Sequence, residues 1–168
     1  MTLNKAFSHE RTENTKNEWL TPLELIKSLG DFDLDPCSPV ESKRPWPTAK
    51  KHYDNETNGL LQKWDGRVWC NPPYDNKICG EFLEKCVNHG NCIVLIFARV
   101  ETKNWFNYIW NKADSVLFIK GRIKFYHASG KIASNCGGAP SALIAYGKNN
   151  SNALIHSKIN GKFISLKQ

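Results

Sequence analysis

Residues 91–98 read Asn-Cys-Ile-Val-Leu-Ile-Phe-Ala. The apolar run is unbroken, so neither face of the segment is set aside for water. That is the mark of a strand buried on both faces, in a sheet covered by helices on each side. Before it, residues 78–88 repeat apolar side chains at helical spacing through Ile78, Phe82, Leu83, Cys86 and Val87. After it, residues 102–112 (TKNWFNYIWNK) also predict a helix. Residues 115–119 (SVLFI) and 141–146 (SALIAY) repeat the buried-strand pattern.

Working outward, Thr21 reads as the N-cap of a short helix, with Pro22 in its first turn and Glu24 completing a capping box. Leu25, Ile26 and Leu29 give the helix its apolar stripe, and Gly30 ends it. A strand follows through Phe32 and Leu34, stopped at Pro36. Residues 38–58 look like a loop, with a short strand near 51–53. Residues 60–64 suggest a helical turn, and 67–70 a strand. Residues 121–126 alternate, 127–140 are rich in turn formers, and 152–167 predict a hairpin bent at Asn160-Gly161. The whole predicts one α/β domain over 18–168, mainly a parallel sheet with antiparallel strands at its C-terminal end. The polar stretch 1–17 predicts a mobile tail.

The chain has 168 residues and 40% hydrophobic residues, enough for one sizeable core. Lys and Arg number 23 against 16 Asp and Glu, a net charge of +7 that favours an acidic partner such as nucleic acid. The six cysteines form no CxxC pair, so they read as reduced thiols in a cytoplasm and no metal site is expected. The five histidines have no ligand-like spacing, and no segment has the length of a membrane span.

Ligands of parallel sheets sit at the carboxyl ends of strands. Two such ends carry chemistry, Asp33-Leu34-Asp35-Pro36 and Asn71-Pro72-Pro73-Tyr74. The paired prolines stiffen the second loop and donate no N–H. It therefore presents acceptors, the Asn71 side-chain oxygen and the Pro72 carbonyl, beside the flat face of Tyr74. Two acceptors and a ring suit a planar group bearing an amino group. Holding both amino protons favours a tetrahedral nitrogen whose lone pair can meet an electrophile such as a sulfonium methyl. That is catalysis by positioning and electrostatics.

Asn71-Pro72-Pro73-Tyr74 after a strand resembles the motif of S-adenosylmethionine-dependent amino-methyltransferases. The ordered set extends the likeness: Trp19-Leu20-Thr21-Pro22, Phe32 to Cys37, Arg99-Val100-Glu101-Thr102, Gly121 to Phe125, and Ala139-Pro140-Ser141-Ala142. Together these look like the phage-type DNA N-6-adenine methyltransferases, over about residues 18–147. The resemblance implies a Rossmann-like methyltransferase fold and methyl transfer from S-adenosylmethionine to adenine N6 of a flipped-out base in double-stranded DNA. It places the enzyme in the cytoplasm of a bacterial host. It implies catalytic roles for Asn71, Pro72, Pro73 and Tyr74. Trp19, Thr21, Pro22, Asp33, Asp35, Pro36 and Cys37 would meet the cofactor. Lys43, Arg44, Trp46, Arg99, Arg122 and Lys124 are the candidate DNA contacts. The turn after Asp35 lacks the usual glycines, and the partner of the cofactor ribose is unassigned, with Asp54 and Glu56 as candidates.

Other readings fit the same residues. The acceptor amine could belong to cytosine N4, an RNA base or a protein glutamine, and a DNA-binding relic of the fold would have no activity. Thr21 can be a helix cap and nothing more. Trp105, Phe106, Tyr108 and Trp110 read as core packing rather than base-stacking platforms.

Overall fold

The apolar run forms a strand at the centre of the sheet. The computed structural model describes residues 20–127, 129–132 and 139–167. The expected tail over 1–17, Trp19 and Cys136 lie outside the described residues. In chain order the strands are β1 (Leu34–Asp35), β2 (Lys51–His52), β3 (Val68–Cys70), β4 (Cys92–Phe97), β5 (Ser115–Ile119), β6 (Ser141–Tyr146) and β7 (Gly161–Ser165). The helices are α1 (Leu23–Lys27), α2 (Asn76–His89), α3 (Lys103–Tyr108) and α4 (Lys148–His156). One seven-stranded sheet runs β2-β1-β3-β4-β6-β5-β7.

β4 explains its own composition. Cys92, Val94 and Ile96 face a core with Phe82, Leu83 and Trp105, while Ile93 and Leu95 face a second core with Ile26, Leu143 and Leu154. Both faces are covered, so an alternating pattern has no place in the strand.

The sheet is half parallel. β2, β1, β3 and β4 run parallel, but β4–β6, β6–β5 and β5–β7 are all antiparallel. The antiparallel strands expected at the C-terminal end are present, but they supply half of the pairings, and the expectation of a mainly parallel sheet is corrected to that extent. The segment joining β5 to β6 contains no crossover helix among its described residues, and β6 returns reversed between β4 and β5. A parallel return would need such a crossover.

The expected hairpin over 152–167 is also corrected. Its first arm is the helix α4, entered at Gly147 with φ +95°. The register signal was hidden because its first inward residue is polar. Asn150 is fully buried and donates to the Asn91 side chain (2.9 Å) and the Tyr146 carbonyl (2.8 Å). Gly161 is not a hairpin-turn residue. It opens β7, where an added Cβ would lie 2.3 Å from the Phe118 carbonyl oxygen.

Two smaller differences lie near the site. Residues 122–125 form no strand, although Ile123 and Phe125 are buried and Tyr126 bridges to Leu20 and Ile132. The capping box does not form, for α1 begins after Pro22 with no side-chain cap. Thr21 is buried and its hydroxyl is engaged elsewhere. At α2 a cap absent from the sequence reading appears. Asp75 accepts from the backbone N–H groups of Lys77 and Ile78, both at 3.0 Å, and fixes the exit of the proline loop.

Candidate active site

β1 and β3 are parallel neighbours, with Leu34 paired to Val68, so their carboxyl ends leave the sheet side by side. The two turns touch, since Cys37 Sγ lies 3.5 Å from Cys70 Sγ. The five described cysteines all carry free thiols. The two sequence motifs are therefore one place in the molecule.

Asn71 is held from both ends of its amide. Its Nδ2 donates to Thr21 Oγ1 at 3.3 Å, and its Oδ1 accepts from the Tyr74 hydroxyl at 3.1 Å. Burial pushes the Tyr74 phenol up in pKa, which keeps it a donor. The amide oxygen retains acceptor capacity for one further partner. The Tyr74 ring stacks on Phe97 with centroids 4.0 Å apart and planes 18° from parallel. Phe97 lies at the end of β4, and the Arg99 guanidinium stands 5.6 Å from its ring centre. Pro72 is buried and Pro73 exposed.

Asp35 is the other pole. It is buried, and burial raises its pKa to about 6 against the opposing pull of its hydrogen bonds. The Thr48 hydroxyl donates to Oδ2, and the Cys37 N–H donates to Oδ1 at 3.1 Å. The backbone N–H groups of Thr48 and Ala49 in turn donate to His52 Nε2, at 3.2 and 3.3 Å. Burial lowers His52 to about 4, so the ring is a neutral acceptor near neutral pH. Thus the end of the loop over residues 39–50 is tied to the candidate cofactor turn by one threonine.

Asp33 behaves differently. Its Oδ2 accepts from the Arg67 backbone N–H and its Oδ1 from Lys50 Nζ, both at 2.8 Å. These donors hold its carboxyl below the usual range. It stands with Lys51, Tyr53, Lys63 and Asp65 in the wall of a cleft of about 290 Å³ beside the starts of β1 and β3; Asn71 and Tyr74 are not in that wall.

The candidate DNA contacts fall into two kinds. Lys43, Arg99, Arg122 and Lys124 are exposed. Arg44 and Trp46 are only partly so. The Trp46 ring packs edge-on against Tyr126, with centroids 5.3 Å apart. Arg44 turns Nη1 inward to a buried position with no hydrogen-bond partner among the described residues. Among the aromatic residues near α3, Trp105 is buried as expected, but Phe106 is 58% exposed. Asp54 lies just beyond β2, where it accepts from the Glu56 and Thr57 backbone N–H groups. Glu56 is exposed in the same turn.

Sequence reasoning missed Thr48, His52, Phe97 and Arg67. None sits in a motif of its own; Thr48, Phe97 and Arg67 act through residues distant in the chain, and His52 by holding the loop around Thr48. Arg67 donates to Asn150 Oδ1 (2.7 Å), the Asp31 carbonyl (2.9 Å) and the Leu29 carbonyl (2.8 Å).

The fold and site define an α/β protein with a rigid amide and a stacked tyrosine beside a buried carboxylate. The family model for DNA N-6-adenine-methyltransferase (Dam) matches residues 8–164, nearly the whole chain. The chain belongs to that family, and is by it an enzyme, a DNA adenine-N6 methyltransferase. No curated protein and no solved structure matches it. No helix among the described residues is long and apolar enough to cross a membrane.

Proposed function

We propose that the enzyme transfers a methyl group from S-adenosylmethionine to N6 of an adenine flipped out of double-stranded DNA, at a specific sequence. The observation that carries this reading is the Asn71 amide, clamped between Thr21 and Tyr74 at the end of β3. An amide locked in that way keeps its oxygen where an amino proton can meet it.

In this reading the Asn71 oxygen and the Pro72 carbonyl accept the two protons of the target amine. The far face of Tyr74, opposite Phe97, receives the base. An amino nitrogen held by two acceptors loses conjugation with its ring and turns its lone pair outward. No strong base is required first, because the nitrogen becomes acidic once alkylated. A base paired within a duplex cannot reach such a pocket, so the enzyme must extrude it.

The cofactor fits the residues beside Asn71. The buried Asp35 carboxylate suits an ammonium, and the charge of Arg44, whose Nη1 is buried without a partner among the described residues, acts on it. Thr21, Pro22, Asp35, Pro36 and Cys37 are the proposed cofactor residues, and Asp54 at the end of β2 the proposed ribose partner. Trp19 is proposed from the resemblance alone. Asp33 would act through the frame of β1, since it stands at the start of the strand, in a wall that holds neither Asn71 nor Tyr74. Bound there, S-adenosylmethionine supplies the electrophilic methyl. Lys43, Trp46, Arg99, Arg122 and Lys124 are proposed to meet the DNA, in a single Rossmann-like domain of phage origin working in a bacterial cytoplasm.

The test is direct. Purified enzyme, labelled S-adenosylmethionine and unmethylated DNA are incubated, and the DNA is digested to nucleosides for mass spectrometry. N6-methyladenine is expected. An enzyme that binds the cofactor yet leaves DNA unmethylated would overturn the assignment of acceptor.

A further inference from the structure

A guanidinium nitrogen buried without a partner is costly to any fold, because its lost water is not replaced. Arg44 Nη1 is in that position. The residue closes a 3-10 turn (Glu41–Lys43) and is followed by Pro45, in a loop whose far end is fixed by Thr48 to Asp35. Its charge falls on both Asp35 and His52. His52 is neutral and already accepts two backbone N–H groups, so it offers no counter-charge. Asp35 spends its oxygens on Thr48 and Cys37 and is not bonded to Arg44. A cation and an anion thus belong to one loop and turn, joined by Thr48 at the carboxyl end of β1 and not bonded to each other, each with hydrogen-bonding capacity left over.

Few ligand groups match such a pair. A phosphate would meet the guanidinium but be repelled by the carboxylate. An α-amino acid end, with ammonium and carboxylate on one carbon, matches both. Building on the proposed use of S-adenosylmethionine, we propose that Arg44 binds the carboxylate of the cofactor's amino-acid end while Asp35 faces its ammonium. Arg44 is then a cofactor residue rather than the DNA contact suggested by the sequence. Because the loop over residues 39–50 also carries Lys43 and Trp46, the enzyme's DNA loop would be ordered in part by the cofactor.

Calorimetry on the full chain tests this without turnover. S-adenosylmethionine and its decarboxylated analogue are titrated into wild type and Arg44→Gln, and a labelled duplex is titrated into both proteins. Wild type should prefer the carboxylate-bearing compound by at least tenfold. Arg44→Gln should bind the two equally and keep its affinity for the analogue, and Arg44→Lys should restore part of the preference. Equal binding of both compounds by wild type overturns the proposal. So does a variant that keeps the preference, or one weakened alike for both compounds. A variant that loses only duplex affinity returns Arg44 to the DNA. If wild type binds neither compound, the cofactor reading itself falls and takes this one with it.

Discussion

The two halves of the sheet are held by different forces. β6, β5 and β7 pair over long antiparallel registers, and β4 with β6 runs from Cys92–Tyr146 to Phe97–Ser141. The parallel half is sparse. β1 is two residues long and meets β3 only at Leu34–Val68. What the ladder does not supply there, side chains do. Asp33 accepts from Arg67 and Lys50, Thr48 holds Asp35, and Lys85 Nζ donates to the Leu60 and Gln62 carbonyls, both at 2.6 Å. Backbone pairing secures the half without chemistry. The half with chemistry is built from loops, and loops can carry polar groups at chosen positions.

The contrast can be broken from either side. The largest effect on function should come from Asn71→Ala. We expect methyl transfer to fall about 10²–10³-fold, the scale of one lost electrostatic contact in an active site. Cofactor affinity by calorimetry should be unchanged. In the antiparallel half, Leu143→Ala should cost about 2–5 kcal/mol in urea unfolding, with turnover per folded molecule unaltered. Arg67 joins the halves through Asn150, so Arg67→Met should cost about 2–3 kcal/mol, much of it from leaving a buried amide oxygen unpaired.

Asp35 sharpens the comparison in the opposite sense. Its folded pKa of about 6 lies above the ordinary 3.8 of an aspartate, so its proton favours folding at low pH. That benefit is lost as pH rises from 3.8 through 6. Holding it ionised at pH 7.5 costs on the order of 3 kcal/mol. Asp35→Asn should therefore melt higher than wild type at pH 7.5, by up to that amount, while binding S-adenosylmethionine more weakly. A variant both less stable and unaffected in binding would remove Asp35 from the site.

The smallest expected effect is at His52. Its folded pKa of about 4 lies below 6.5, so its contribution to stability is complete above 6.5 and fades as pH falls toward 4. Thermal melts between pH 7.5 and 4.5 should show a steeper acid loss in wild type than in His52→Gln. Asp35 partly offsets that loss below pH 6.

Much of this was legible in the chain. The unbroken run at 92–97 and the helix ahead of it follow from periodicity, because each buries apolar side chains in a regular pattern; the short strand near Lys51 stands where the sequence placed one, although it buries no apolar side chain. α4 did not, because it buries Asn150, and a buried amide is indistinguishable in sequence from a solvated one. Thr21 looked like a cap because spacing reports only neighbours along the chain. Its partner Asn71 is fifty positions away.

The sequence by itself determined the α/β class, the two chemical turns and the order of motifs along the chain, since these depend on local propensity and composition. Only the tertiary structure decided that Asp35 and Asn71 share one place and that Asp33 is spent on the frame. It alone set β6 between β4 and β5 and turned Arg44 inward. Those outcomes depend on which strand ends become neighbours and on which polar atoms lose water together, and both are properties of the packed chain.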